Sequence, residues 1–363
     1  MNTGAATGTR IVVGMSGGVD SAVAALLLVK AGHEVHGLYM SNWDDEDRYC
    51  SNAQDYQDAR ATARELGIVL HRVSFESEYR ERVFAPFLVE YQRGRTPNPD
   101  VLCNREIKFG ACLHYARRLG AAGFATGHYA QLRQDESGPE LLRGADSGKD
   151  QSYFLCGVER AQFAQVLFPV GALSKQAVRA QAQRAGLPVF NKPDSTGICF
   201  IGERPFTEFL SGYLPETPGP IETTDGRRLG THRGLPFYTL GQRGGLEIGG
   251  VSGGSGDPWY VARKDPERNA LIVVAARDRA EVASPALRTG VVNWLAEPPR
   301  APFTAGVKTR YRQSDQPARI TPEADGTVRI DFDTPQWAVT PGQIAAIYAA
   351  ENCLGGGVIE ETL

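Results

Sequence analysis

The chain has 363 residues, with 39 Lys plus Arg against 42 Asp plus Glu, a formal net charge of −3 and 42% hydrophobic residues. Such a length carries two or three domains with true cores, and the charge balance excludes a globally basic coat for nucleic acid. Any polyanion must then be held by local patches or by shape.

The longest clean apolar run, Ala22 to Val29, is far shorter than the ~18 residues of a membrane span, and residues 1–10 lack the apolar stretch of a secretory signal. A cytoplasmic chain without membrane association is expected. The six cysteines, at 50, 103, 112, 156, 199 and 353, make neither a Cys-x-x-Cys pair nor a zinc-finger spacing. They are expected as thiols, with no metal site.

From Ile11 the chain alternates short β-rich runs with helical stretches: Ile11–Met15, a helix to Ala31, Val35–Met40, a helix near Gln54–Leu66, then Ile68–Phe75. This rhythm predicts a parallel sheet with crossover helices. Val19, Val23, Leu26 and Leu27 share one helix face, and Gly32 stands at a C′ stop. A long helix over Lys108–Leu119 and a strand over Phe124–Ala130 extend a Rossmann-like unit placed at 1–205. Ser174 reads as the N-cap of one more helix, closed by Gly186 and Pro188. Beyond Gly202 the texture turns rich in Pro, Gly and Thr, which marks a small middle domain at 206–275. Gly290–Trp294, Phe303–Tyr311, Thr327–Phe332 and Ile344–Tyr348 then read as short strands of a barrel or sandwich at 276–363. Gly249–Gly256 is read as a glycine-rich hairpin or loop.

The sharpest chemical signal is Gly14-Met15-Ser16-Gly17-Gly18-Val19-Asp20-Ser21, set between an apolar strand and an apolar-faced helix. Glycines let several N–H groups face one concavity, two serines add hydroxyls and the helix adds its N-terminal dipole, which suits a pyrophosphate. Asp20 is suited to orienting Mg²⁺ or the loop itself. Neither a Walker Gly-x-x-x-x-Gly-Lys-Ser/Thr string nor a Gly-x-Gly-x-x-Gly string occurs here, so a P-loop NTPase and a dinucleotide oxidoreductase are disfavoured. The Ser-Gly-Gly-x-Asp-Ser string resembles the pyrophosphate loop of the N-type ATP pyrophosphatase superfamily.

Among the cysteines, Cys112, Cys156 (in the strand-like run Tyr153–Val158) and Cys353 read as small buried hydrophobes, and Cys50, beside the acidic stretch 44–47, as a poor nucleophile. Cys103 differs. It follows Thr96-Pro97-Asn98-Pro99-Asp100, whose prolines speak against regular structure, and precedes a helix expected to begin near Asn104, where a thiolate is favoured. Cys199 lies in the loop-like string Asp194-Ser195-Thr196-Gly197-Ile198-Cys199-Phe200.

Taken together with the pyrophosphate loop, Asn98-Pro99-Asp100-x-x-Cys103-Asn104 and the 194–200 string resemble the tRNA-specific 2-thiouridylase family. The likeness runs through Gly127-His128-Tyr129, Lys149-Asp150-Gln151-Ser152-Tyr153, Gly241-Gln242-Arg243, Arg310-Tyr311-Arg312 and residues 335–343. It implies an α/β fold: a Rossmann-like N-type ATP pyrophosphatase domain, a small middle domain and a C-terminal β-barrel. It also implies ATP with Mg²⁺ as co-substrate, no tightly bound cofactor, and replacement of the C2 oxygen of a wobble uridine by sulfur.

By that resemblance Cys103 is the nucleophile, Cys199 the persulfide carrier and Asp100 the acid/base group. Gly14, Met15, Ser16, Gly17, Gly18, Val19, Asp20, Ser21, Met40 and Gly127 bind ATP, and Asn98, Pro99 and Asp100 meet the target base. His128, Lys149, Asp150, Gln151, Arg310, Tyr311 and Gln343 would contact tRNA. The implied partners are glutamate, glutamine and lysine tRNAs and a sulfur-carrier or cysteine-desulfurase relay protein, with the enzyme a monomer. Gly244 and Glu247 depart from the family pattern, which often has a basic residue and a glycine there.

Two other readings share parts of this sequence. A ligase of the argininosuccinate or GMP synthetase kind would use the same loop, with an amine attacking the adenylate, and give no role to Cys103 and Cys199. A non-catalytic RNA-binding protein would bind tRNA without consuming ATP.

Overall fold

The computed structural model describes residues 8–43, 52–194, 206–248 and 257–363. The glycine-rich segment 249–256, Cys50 and the string from Ser195 through Cys199 to Phe200 lie outside the described residues.

Ile11, Val12 and Val13 are each fully buried in β1 (Arg10–Gly14), as a strand covered on both faces requires. β2 (Glu34–Ser41), β3 (Val69–Ser74), β4 (Gly123–Ala125) and β7 (Val166–Leu167) join it, all parallel, in the order β3-β2-β1-β4-β7. The order reverses between β1 and β4, which opens a crevice at their carboxyl ends where α/β proteins bind ligands. α1 (Val19–Lys30) carries nine buried residues against this sheet and ends at Ala31, followed by Gly32 at φ +82°. α2 (Asn52–Leu66) is the next crossover.

The strand expected over Phe124–Ala130 is split. β4 stops at Ala125, the chain crosses the sheet's end, and Ala130 opens a hairpin, β5 (Ala130–Asp135) with β6 (Gly138–Arg143), that the sequence reading missed. The long helix also starts earlier than expected. Helical structure runs from Pro99 through a π-helical stretch, Cys103–Cys112, to Arg118. Pro99 is tolerated because the first helical residue needs no N–H, and Asn98 caps it by accepting from the Val101 N–H at 3.4 Å. Around Cys156 the expected strand is instead a helical turn, Ser152–Leu155. The Ser174 N-cap stands where expected, accepting from Ala177 N–H at 3.1 Å ahead of the helix Lys175–Arg184.

The middle unit contains β8 (Gly219–Thr223), β9 (Arg228–His232), β10 (Trp259–Asp265) and β11 (Ala270–Ala275), in the order β10-β11-β8-β9. Ala270, Leu271 and Val273 are fully buried and supply much of its core. Glu247 adopts φ +51°, the left-handed conformation that explains why glycine suits that position.

The C-terminal unit is a barrel rather than a sandwich. β12 (Ser284–Thr289), β16 (Val328–Gln336), β15 (Gln316–Pro322), β14 (Phe303–Lys308), β17 (Ile344–Ala349) and β18 (Asn352–Thr362) pair in that order, and β18 returns to β12. Leu287, Val307, Ile320, Ile330, Ile347 and Ile359 fill its interior, each fully buried. The expected strand at Gly290–Trp294 narrows to β13 (Asn293–Trp294), which pairs with β18. β18 also takes β6 from the first unit, with Asn352 opposite Leu142. One apolar cluster therefore runs from Val12 through Tyr153 and Ile221 to Ile344, across all three units. Among the described residues, no helix is long and apolar enough to cross a membrane.

Candidate active site

The Gly14–Ser21 loop leaves β1 at the crevice and is fastened from beneath. Met15 and Val19 are buried, and the Met15 N–H donates to Leu38 O at 2.8 Å. Within the loop, the Ser21 hydroxyl donates to Gly18 O at 3.0 Å and accepts from the Ser16 N–H at 3.2 Å, while the Gly18 N–H meets Ser16 Oγ at 3.4 Å. Two glycines are obligatory. Gly17 sits at φ +77°, and a Cβ there would stand 2.2 Å from Asp55 O; a Cβ on Gly127 would stand 2.6 Å from the Ser21 nitrogen. Gly127 thus lies directly against the loop. Met40, near the end of β2, contacts the Cys112 thiol at 3.7 Å, and burial pushes that thiol up to about 12.

Charged groups brace the loop from residues far along the chain. Asp20 accepts from the Tyr129 hydroxyl at 2.7 Å and from Lys175 Nζ at 2.7 and 2.8 Å. In this arrangement Asp20 orients the loop. Lys175 also reaches Asp194 at 2.8 Å, and Lys149 (2.7 Å) and Arg179 (2.8 Å) converge on the same carboxylate. Burial works to raise the Asp194 pKa, but the hydrogen bonds from Lys149 and Lys175 outweigh it and bring it down to about 2. Lys192 donates to Gly17 O at 3.1 Å, Asp55 at 2.7 Å and Asp58 at 2.5 Å, fixing the loop's left-handed corner. Burial opposes its charge, yet the two aspartates raise its pKa. Sequence reasoning missed Tyr129, Lys175 and Lys192 in these roles. The loop-side groups they hold lie 109 to 175 residues away, and no local pattern encodes such pairings.

Asp100 stands in the first turn of the 99–118 run and Cys103 one turn further in, rather than at a helix start. Cys103 is buried, 1% exposed. Burial raises the Asp100 pKa, opposed by the Lys108 charge. Lys108 Nζ also lies 3.5 Å from His128 Nε2, and His128 Nδ1 is 2.7 Å from Thr126 Oγ1. Burial, with Lys108 beside it, holds the His128 pKa well below its ordinary value, so the imidazole is neutral near pH 7. Phe109 packs on Phe124 of β4 and on His128, with ring centroids 6.2 and 5.8 Å apart. The helix bearing Asp100 and Cys103 is thereby fastened to the strand end that carries Gly127. Cys199 lies outside the described residues; Asp194, held by three cations, is the last described residue before it.

The residues expected at tRNA fall into two groups. Asp150 is buried, accepting from the Gly144 and Ser152 N–H groups at 3.0 and 3.1 Å, and Gln151 Oε1 accepts from the Tyr129 N–H at 2.9 Å. Arg310 Nη2 donates to Leu240 O at 2.7 Å and Ala338 O at 2.9 Å, tying the middle unit to the barrel. Gln343 Nε2 donates to Thr96 O at 2.8 Å and Pro97 O at 3.3 Å. These four side chains are engaged by the protein. His128 is likewise buried, whereas Lys149 and Tyr311 are partly exposed, Tyr311 lying 4.4 Å from the Phe154 ring.

The parallel sheet, the crevice at its switch point and the glycine-serine loop at the start of α1 define an α/β protein of the kind that takes a nucleotide at that crevice. Residues 9–203 match the family described as tRNA methyl transferase HUP domain, residues 207–275 the tRNA methyl transferase PRC-barrel domain, and residues 284–359 the aminomethyltransferase beta-barrel domain. The chain is 53% identical to the tRNA-specific 2-thiouridylase MnmA of Methylibium petroleiphilum, over 96% of this chain and 98% of that one. It is 53% identical to that of Cupriavidus metallidurans (98% and 100% covered) and 54% to that of Tolumonas auensis (97% and 96%). This chain belongs to the tRNA-specific 2-thiouridylase family and is a tRNA sulfurtransferase.

Proposed function

We propose that this enzyme makes 2-thiouridine at the wobble position of glutamate, glutamine and lysine tRNAs by adenylating the C2 oxygen and then exchanging it for sulfur. The observation that carries the reading is the fastening of the Asp100–Cys103 helix to the strand end whose Gly127 lies against the Gly14–Ser21 nest. In the first step the C2 oxygen attacks the α-phosphorus of Mg-ATP and pyrophosphate leaves. The loop N–H groups and the Ser16 hydroxyl receive it, with Ser21 holding the loop from within. Asp100, its carboxyl partly desolvated, takes the ring N3 proton as the oxygen becomes a better nucleophile. Met40 and Gly127 border the nucleotide.

In the second step sulfur attacks C2 and AMP departs with the oxygen. Sulfur arrives from a carrier or cysteine-desulfurase relay as a persulfide on Cys199. On one route the Cys103 thiolate attacks the Cys199 sulfur, hydrosulfide leaves, and a Cys103–Cys199 disulfide remains. On the other, the terminal persulfide sulfur attacks C2 directly and Cys103 then breaks the S–S bond, leaving the same disulfide. A thiol reductant restores both cysteines. The target base meets Asn98, Pro99 and Asp100, and the tRNA runs past Lys149, Tyr311 and the barrel rim near Gln343. The three units divide at 1–205, 206–275 and 276–363, and the enzyme acts in the cytoplasm as a monomer.

The test is mass spectrometry of nucleosides from unmodified glutamate tRNA after incubation with enzyme, Mg-ATP and a persulfide donor. ATP-dependent 2-thiouridine is expected from the wild type, with about 100-fold or greater loss in Cys103→Ser, Cys199→Ser and Asp100→Asn. Cysteine variants of undiminished rate would leave the chain without its sulfur relay and overturn this mechanism.

A further inference from the structure

Residues 94–97, immediately before the Asn98 cap and Asp100, are gripped by both smaller units. From the middle unit, Lys264 Nζ donates to Gly94 O at 3.0 Å, and Thr239 Oγ1 accepts from Thr96 Oγ1 at 3.5 Å. From the barrel, Pro341 O accepts from the Thr96 N–H at 3.0 Å, and Gln343 Nε2 spans the carbonyls of Thr96 and Pro97 at 2.8 and 3.3 Å. Arg95 crosses the same seam, to Glu360 at 2.5 Å and to Ile359 O at 3.0 Å. The fit is tight enough to demand glycine at 342. That residue has φ +93°, and a Cβ there would stand 2.9 Å from the Thr96 backbone.

Beside this seam Tyr153 donates its hydroxyl to Ile344 O at 3.0 Å, next to Gln343. Three consecutive barrel residues, 341–343, therefore hold the segment whose end sets where the helix of Asp100 and Cys103 begins. An N-cap fixes the direction in which a helix starts. A small displacement of Thr96 and Pro97 is then passed to the reacting groups, where about 1 Å is enough to slow catalysis severely.

We infer that Gln343 and Lys264 are positioning residues for the thiolation reaction: through the carbonyls of Gly94, Thr96 and Pro97 they fix the strap that aims Asp100 and Cys103. This inference rests on the roles proposed above for Asp100 and Cys103. It makes the two smaller units part of the catalytic apparatus as well as surfaces for tRNA. Both donors are spent on protein carbonyls, so what their removal changes first is the geometry of the helix start.

The experiment measures single-turnover 2-thiouridine formation at saturating tRNA and Mg-ATP, with tRNA affinity measured separately by filter binding, for Gln343→Met, Gln343→Glu, Lys264→Met, Cys103→Ser and Asp100→Asn. Gln343→Met and Lys264→Met are expected to be about tenfold slower at saturation, with tRNA affinity within about twofold of wild type. Gln343→Glu should be slower still, since it sets a carboxylate against two carbonyl oxygens. The variants should also move the acid limb of the pH–rate profile, which reports Asp100; a general loss of folded enzyme only scales that profile. If either Gln343 variant fails to fold, Lys264→Met decides.

Weaker tRNA binding with an unchanged saturated rate would make Gln343 a plain tRNA contact and overturn the inference. Wild-type rates in the Gln343 and Lys264 variants, beside inactive Cys103→Ser and Asp100→Asn, would overturn it while sparing the mechanism. Full activity in Cys103→Ser or Asp100→Asn would sink the mechanism and the inference with it.

Discussion

The two loops beside the crevice are held differently. The Gly14–Ser21 loop forms part of its shape within its own eight residues, where serines bond internally, glycines supply its corner and Met15 and Val19 anchor it in the core below, and Tyr129, Lys175 and Lys192 then brace it from far along the chain. The 94–97 strap is tied at its start to the end of the preceding helix, through the Gly94 and Arg95 N–H groups, and beyond that takes its shape from residues 239, 264, 341–343 and 359–360. Binding of a small, invariant ligand can be built into a short stretch of chain. The approach to the Asp100–Cys103 helix is held instead largely by contacts that span the molecule.

The comparison can be broken most sharply at Gly17. A side chain there meets both a left-handed backbone and the Asp55 carbonyl, so Gly17→Val should lower ATP-dependent pyrophosphate release by about 100-fold or more. Its effect should stay local, leaving tRNA affinity near wild type in filter binding. If instead the nest tolerates valine, its geometry is not what holds the pyrophosphate.

Arg310 tests the distributed side. Its Nη2 bridges two carbonyls from different units, and Arg310→Met removes the donor to Leu240 O while Ala338 O keeps the Thr340 hydroxyl, for an expected loss of about 1–2 kcal/mol in urea unfolding. An unchanged unfolding midpoint would mean that the seam between middle unit and barrel relaxes freely.

The smallest effect sharpens the contrast through pH. Burial lowers the Lys264 pKa from 10.5 to about 8. Above pH 8 the unfolded chain binds this proton more readily than the folded one, so the burial penalty is present in full below pH 8 and fades as pH climbs towards 10.5. Lys264→Met, which loses one hydrogen bond to Gly94 but sheds that penalty, should be more stable at pH 7 by about 1–2 kcal/mol, with the gap closing by pH 10. A variant that is more stable yet slower would show that this lysine is kept for placement. A gap that does not change with pH would argue that water reaches the ammonium.

The same contrast explains what could be read in the chain. The parallel unit, its first helix with the Gly32 stop, the glycine turn between β1 and α1 and the Ser174 cap are written in neighbouring residues, and all are seen in the structure. Three features needed information from far away. Prolines 97 and 99 suggest a break, yet Pro99 opens the helix because Asn98 caps it and both smaller units hold the approach. The run from Phe124 to Ala130 is apolar enough for one strand, but Gly127 must bend against Ser21, which divides it. The β5–β6 hairpin packs on the 160–165 turn of its own unit, but the strand that extends its sheet, β18, comes from the far end of the chain. At the site, Asp20 was legible and its lysine was not, because the pair is separated by 155 residues.

That hairpin has a consequence for how the protein comes into being. β6 waits for a partner strand that begins more than two hundred residues later, and β18 must also close on β12, β13 and β17. Such long-range pairing is slow, and until it happens the first unit carries an open strand edge, the kind of surface that recruits other nascent chains. During synthesis the enzyme is therefore most prone to aggregate after its first unit has formed and before its barrel shuts. A chaperone that covers one β-edge during this interval would be expected to raise the yield of folded enzyme more than one that protects either end.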